Sequence, residues 1–162
     1  EENVILALEI AGEPRRQALG TAREWLETFG LLPFAKAYPH TLSGGMQQRV
    51  AFLRALISRQ ELMCLDEPFG ALDALTRHDM QRWLLDIWER HRRTVLFITH
   101  SIEEAILLSD RIYVLSDKPA RIVREFSVPF PRPRSEKLLE EPAFIRLRSE
   151  IHHLLRIHMN KS

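Results

Sequence analysis

Four short stretches concentrate the residue types that do chemistry. Leu42-Ser43-Gly44-Gly45-Met46-Gln47-Gln48-Arg49 places a serine and two glycines where a helix should begin. Free backbone N–H groups, a hydroxyl and the helix dipole make such a start welcoming to an anion such as phosphate. Taken alone, the stretch reads equally well as a capped helix behind a glycine-rich loop. Leu62-Met63-Cys64-Leu65-Asp66-Glu67 is an apolar strand ending in two carboxylates. Asp66 there can hold Mg²⁺, which prefers oxygen ligands and keeps part of its water shell. Glu67 can accept a proton from an attacking water. A lone Asp-Glu pair is usually only a solvated acidic turn. Gly70-Ala71-Leu72-Asp73 follows, and His100 closes the apolar run Val95–Ile98, where it can donate a hydrogen bond to a phosphate oxygen. A lone histidine at a strand end is more often a polar cap. The order and spacing of all four stretches together override the bland reading of each.

The elements that must hold these residues follow from periodicity and punctuation. Glu2–Ile10 fits a strand or a short helix. Pro14 suits a first helical turn, and Ala18, Leu19, Ala22, Trp25, Leu26 and Phe29 recur at helical spacing up to Gly30, a C-terminal stop. Residues 31–41, with Pro33 and Pro39, read as loop with room for a short turn. Ser43 caps a helix reaching about Ser58, Glu61–Asp66 is a buried strand, and Asp73 or Thr76 caps the next helix. Its apolar stripe includes Leu75, Trp83, Leu84, Ile87 and Trp88. Thr94–Ile98 is a second buried strand, and Ser101-Ile102-Glu103-Glu104 has the form of a capping box. Arg111–Ser116 and Ala120–Phe126 read as a hairpin around Asp117-Lys118-Pro119. Pro129, Pro131 and Pro133 predict an extended linker, with Arg132 and Arg134 as a solvated basic patch. From Pro142 a last helix carries Phe144, Leu147, Ile151, Leu154 and Leu155 on one face. Helices alternating with strands imply right-handed crossovers, a parallel sheet, and chemistry at the strands' carboxyl ends.

LSGGMQQRVAFLRAL, LMCLDEPFGALD and FITHSIEEAILLSDRI together resemble the ATP-binding cassette (ABC) transporter ATPase family. LSGGMQQR is similar to its signature motif, LMCLDE to Walker B with the adjacent glutamate, GALD to the D-loop, and the histidine of FITHS to the switch histidine. THSIEEAILLSDRIYVLS, KPARIV and the tail VPFPRPRSEKLLEEPAFIRLRSEI resemble the importer branch serving nitrate, sulfonates and taurine. The resemblance implies an α/β fold: a partial P-loop NTPase domain, its mostly parallel sheet flanked by helices, with part of a helical subdomain and a C-terminal helix. It divides the chain into a helical signature portion (1–58), a RecA-like core portion with Walker B, D-loop and switch histidine (59–128), and a proline-rich linker with the last helix (129–162).

Roles follow from the resemblance residue by residue. Ser43, Gly44 and Gly45, with Gln47 nearby, would meet the γ-phosphate of ATP held by an opposite subunit. Asp66 would orient Mg²⁺, Glu67 would polarise the attacking water, His100 would contact the γ-phosphate, and Asp73 would cross a dimer interface. Ser101 departs from the commoner aspartate after the histidine, and either residue can cap the helix that follows. ATP and Mg²⁺ are the implied cofactors. The implied partners are a second ATPase subunit in a head-to-tail dimer, transmembrane permease subunits and, indirectly, a solute-binding protein; the implied location is peripheral, on the cytoplasmic face of the cell membrane. The family also needs GxxxxGK[ST], an adenine-stacking aromatic and a Q-loop glutamine. None is visible: no Gly-Lys pair occurs, and Glu1-Glu2-Asn3-Val4 resembles the stretch after the Q-loop. With Glu1 in the place of a start methionine, the expectation is the C-terminal two-thirds of a nucleotide-binding domain, inactive alone.

Composition agrees and excludes other classes. The 162 residues are 45% hydrophobic and 28% charged, enough apolar mass for a core. Lys+Arg 23 against Asp+Glu 22 argues against a strongly basic nucleic-acid binder. A single cysteine, Cys64, allows no internal disulfide and fits a reducing compartment. His152, His153 and His158 invite a metal, but no cysteine or paired acid supports one. Two alternatives stay open: a truncated, catalytically silent ABC module offering only its signature face, and a soluble ABC ATPase of another process, such as translation or DNA repair. A P-loop upstream of Ser43 favours the importer ATPase; a true start near Glu1 favours the silent module.

Overall fold

The computed structural model describes residues 1–58 and 60–159. Arg59, at the start of the expected core portion, and 160–162, at the end of the expected C-terminal portion, lie outside the described residues. The order of elements is α1 (Glu2–Ile10), α2 (Arg15–Thr28), two short 3₁₀ turns (Leu32–Phe34 and Pro39–Thr41), α3 (Gly44–Ile57), β1 (Leu62–Asp66), α4 (Ala74–His91), β2 (Thr94–Ile98), α5 (Ile102–Leu108), β3 (Arg111–Leu115), β4 (Ile122–Ser127), a 3₁₀ turn (Glu136–Glu140) and α6 (Pro142–Met159). This is the expected α/β class: β1 and β2, joined through α4, pair in a parallel sheet, and β3 pairs with β4. Two compact units result, Glu1–Met80 with Arg93–Leu96, and Gln81–Arg92 with the chain from Phe97 onward.

The first unit resolves the choice over Glu2–Ile10 in favour of helix. Val4, Ile5 and Leu8 fall on one side of α1 and are buried, as are Ala18, Ala22 and Leu26 of α2 and Phe52, Leu53, Leu56 and Ile57 of α3. The three helices pack on one another. Gly30 does stop α2: at φ +65 it lets its own N–H reach the Glu27 carbonyl at 2.9 Å and that of Leu31 reach Leu26 at 2.7 Å, a Schellman closure that favours glycine. β1 alternates rather than being buried throughout. Met63 and Leu65 face inward, while Leu62, Cys64 and Asp66 are exposed, which delivers the acidic end of the strand to solvent.

In the second unit, β3 and β4 are antiparallel, with Ile112 opposite Phe126 and Tyr113 opposite Glu125. Ile112, Val114 and Phe126 turn inward to meet Ile106 and Leu107 of α5 and Phe144 and Ile151 of α6. Leu147, Leu154 and Leu155 pack against the same cluster, so the apolar face read from α6 is its packed face.

The expected solvated linker is the main correction. Arg134 is buried, its side chain only 2% exposed, and its guanidinium donates to the carbonyls of Phe130 (3.0 Å), Ile106 (3.2 Å), Leu107 (3.4 Å) and Ser109 (2.6 Å) and to Asp110 Oδ1 (3.2 Å). Arg132 donates to Asp110 Oδ1 (2.9 Å) and the Leu108 carbonyl (2.8 Å) while lying 3.8 Å over the Trp88 ring. The physical reason is the end of α5, whose last carbonyls lack intrahelical partners. A planar fork with five donors satisfies several of them at once, and a cation favours the negative end of the helix. Burial lowers the Arg134 pKa, the neighbouring Arg132 lowers it further, and Asp110 opposes both. Arg134→Leu is expected to cost roughly 3 kcal/mol, because the carbonyls lose their donors inside the unit. Arg134→Lys should recover little, since an ammonium cannot span that set of acceptors. Urea unfolding with an unchanged m-value and a lower midpoint is the check.

Candidate functional site

Seven of the eight residues singled out from sequence lie in the first unit. Ser43 is the N-cap of α3, with extended φ −64 and ψ 160, and its Oγ accepts from the Met46 N–H at 3.3 Å. The cap engages a lone pair and leaves the hydroxyl proton to donate. Ser43 and Gly44 are exposed, and the first-turn N–H groups have no partner within their own helix. Helix start, hydroxyl and exposure together match an anion-binding terminus.

The two glutamines fix this helix start in place. Gln47 donates its amide to the carbonyls of Pro39 and Leu42, both at 3.1 Å. That bond clamps the loop entering α3, a second duty beside the nucleotide contact implied by resemblance. Gln48 donates to the Pro68 carbonyl, tying α3 to the turn after Glu67. The glycines allow close approach on the other side. A Cβ at Gly44 would sit 3.4 Å from Leu72 Cδ2, and one at Gly45 only 3.0 Å from Thr76 Cγ2. The helix start therefore lies against the Gly70–Asp73 turn and the first turn of α4.

Asp66, exposed, ends β1, and Glu67, half-buried, follows it at φ 43. A non-glycine residue in the left-handed region carries strain, and such strain gathers at functional sites. Glu67 accepts from the Gly70 N–H at 3.1 Å through its carbonyl, and its Oε2 comes within 3.9 Å of where a Gly70 Cβ would stand. Asp73, rather than Thr76, caps α4: its Oδ1 accepts from Leu75 (3.1 Å) and Thr76 (3.0 Å) N–H groups. Hydrogen bonding to Thr76 holds its carboxyl below the usual aspartate range. Arg77 braces the same turn by donating to the carbonyls of Phe69 (3.3 Å) and Leu72 (2.8 Å). Sequence reasoning missed Arg77 and the Glu67 backbone; an arginine four residues into a helix gives no signal of the turn it holds.

His100 belongs to the second unit, where it is exposed at the end of β2. Thr99 Oγ1 accepts from the Ser101 N–H at 3.0 Å, bridging across the histidine. Ser101 caps α5 as expected, accepting from the Glu104 N–H at 3.3 Å.

The residues present fit a phosphate with Mg²⁺. Among the described residues no group of three or more His, Cys, Asp or Glu side chains could hold a metal ion. Mg²⁺ at nucleotide phosphates asks for less: one or two carboxylates, with phosphate oxygens and water completing the shell. Asp66, exposed at a strand's carboxyl end, supplies such a donor.

In one unit of this α/β chain, an acidic strand end, a braced turn and a capped Ser-Gly-Gly helix start form an arrangement suited to an anion with a divalent cation. The profile of the ABC transporter family matches residues 1–70. The nitrate import ATP-binding protein NrtD of Synechocystis sp. is 42% identical over 96% of this chain and 60% of its own length. The taurine import ATP-binding protein TauB of Rhizobium johnstonii is 45% identical over 95% and 61% respectively. The formylaminopyrimidine import ATP-binding protein ThiZ of Halalkalibacterium halodurans is 47% identical over 79% and 51%. A solved metal-chelate type ABC transporter in an inward-facing conformation superposes with a TM-score of 0.68, over 91% of this chain and 56% of its own; at 20% identity the likeness is one of fold. The chain belongs to the ABC transporter ATP-binding family, and spans between half and two-thirds of the length of these curated relatives.

Proposed function

We propose that this chain is the signature, Walker B, D-loop and switch-histidine part of the ATP-hydrolysing subunit of an ABC importer. The observation that carries the reading is the first unit's arrangement: the Ser43 helix start packed on the turn that Glu67 opens and Asp73 closes. Asp66 would hold Mg²⁺, which offsets phosphate charge when bound. Glu67 takes the proton of the attacking water, and His100 donates to a phosphate oxygen. Ser43 with the Gly44 and Gly45 N–H groups receives phosphate bound by a second copy in a head-to-tail dimer with two-fold symmetry. The relatives named for nitrate and taurine import support a small-solute importer. Permease subunits would be its membrane partners; among the described residues no helix is long and apolar enough to cross a membrane.

Positioning and charge neutralisation dominate phosphoryl transfer, and this sequence holds no GxxxxGK[ST] to supply the phosphate cradle. The purified 162-residue chain is therefore expected to release no Mg²⁺-dependent phosphate above background. The whole protein that contains it should hydrolyse ATP. Sustained metal-dependent release by the chain alone would contradict this division of labour.

A further inference from the structure

We infer that Glu104 is a positioning residue for His100, acting through Thr99; the inference rests on the proposed role of His100 at the nucleotide. Glu104 is one of the few buried charged side chains, at 6% exposure, and the chemistry assigned above does not use it. Both of its oxygens are engaged. Oε2 accepts from the Thr99 hydroxyl at 2.7 Å, and Oε1 accepts from the Gln81 amide of α4 at 3.0 Å. Thr99 Oγ1, having given its proton to Glu104, accepts from the Ser101 N–H at 3.0 Å. The Glu104 N–H donates to Ser101 Oγ at 3.3 Å.

His100 thus sits between two residues that are both held by Glu104, one through the carboxylate and one through the backbone. In an ordinary capping box the third-position glutamate bonds the N-cap N–H directly. Here the Thr99 hydroxyl stands between them, so the return bond passes around the histidine instead of beside it. A hydroxyl is required at position 99 for this relay, because the group must donate and accept at once. Gln81 fixes the carboxylate from a different element. The turn that presents the imidazole therefore has one orientation, set by a buried group that need not touch nucleotide.

The test uses the whole ATPase, with its histidines isotopically labelled. Thr99→Val keeps the shape and removes both bonds, and Glu104→Ala removes the anchor. Each should lower kcat by about 10- to 100-fold with the KM for ATP little changed, as expected for misplacement rather than lost binding. Each should also shift or broaden the His100 signal and speed exchange of the Ser101 amide. Thr99→Ser restores the relay and should recover most of the rate; Glu104→Gln should do the same after a flip of the Gln81 amide. An unchanged kcat, or an unchanged His100 signal, in Thr99→Val would overturn the inference, and Gln81→Leu provides a second, milder variant with the same reading should Glu104→Ala unfold. His100→Ala separates the two levels. Full activity in that variant defeats the role of His100 itself. Strong loss there, with Thr99→Val behaving as wild type, defeats only the positioning role.

Discussion

Glu67→Gln in the whole ATPase is expected to lower turnover by about 10²- to 10⁴-fold, the range of a general base, while ATP binding stays intact. The amide keeps the size and hydrogen-bonding outline of the carboxylate and removes its capacity to take a proton. The local structure sharpens the expectation. Glu67 sits at φ 43, and its backbone carbonyl accepts from the Gly70 N–H to close the turn over 67–70. A side chain forced into the left-handed region costs on the order of 1–2 kcal/mol, which glycine does not incur. Glu67→Gly should therefore unfold at higher denaturant concentration than wild type and still be inactive. Stability and activity then move in opposite directions, the signature of a residue kept for chemistry. Phosphate release, nucleotide titration and urea midpoints on the same preparations make the comparison. A near-normal rate in Glu67→Gln would remove Glu67 from the role of base.

The local elements were legible because each carries its own punctuation. Ser43, Ser101 and Gly30 mark helix ends by mechanisms confined to a few residues, and all three act as expected. Glu2–Ile10 was ambiguous because nine residues with mixed apolar spacing fit either period; packing of Val4, Ile5 and Leu8 against α2 and α3 settles it. The proline-flanked arginines misled for a different reason. Local sequence shows charge and an extended backbone, whereas the carbonyls at the end of α5 that draw Arg134 inside lie some 25 residues earlier in the chain. The site shows the same divide. The residues proposed to react stand in short motifs, whereas, each within its own unit, Arg77 on the Gly70–Asp73 turn and Gln81 with Thr99 on the Glu104 carboxylate bond outside those motifs and leave no local pattern.

The second large effect concerns Ser43 and should appear in the partner's site. Its Oγ accepts from the Met46 N–H, and aspartate can do the same, so Ser43→Asp preserves the cap while adding negative charge. Charge at a helix start is tolerated by the dipole until a phosphate must come to the same place, where two anions repel in a water-poor interface. Ser43→Asp should thus leave nucleotide binding by the monomer nearly unchanged and abolish ATP-driven dimerisation. Mixed dimers of the whole protein distinguish action on the partner from action within one subunit. With Ser43→Asp in one subunit and a dead phosphate-binding loop in the other, a trans-acting signature concentrates both lesions in a single composite site. The second site stays whole, and ATP-dependent closure should be partly retained in sedimentation. With both lesions in one subunit, each composite site carries one of them, and closure should be lost. A serine acting within its own subunit gives the reverse order. Equal behaviour of the two arrangements, or that reverse order, removes the trans assignment and leaves Ser43 as the cap of α3 alone.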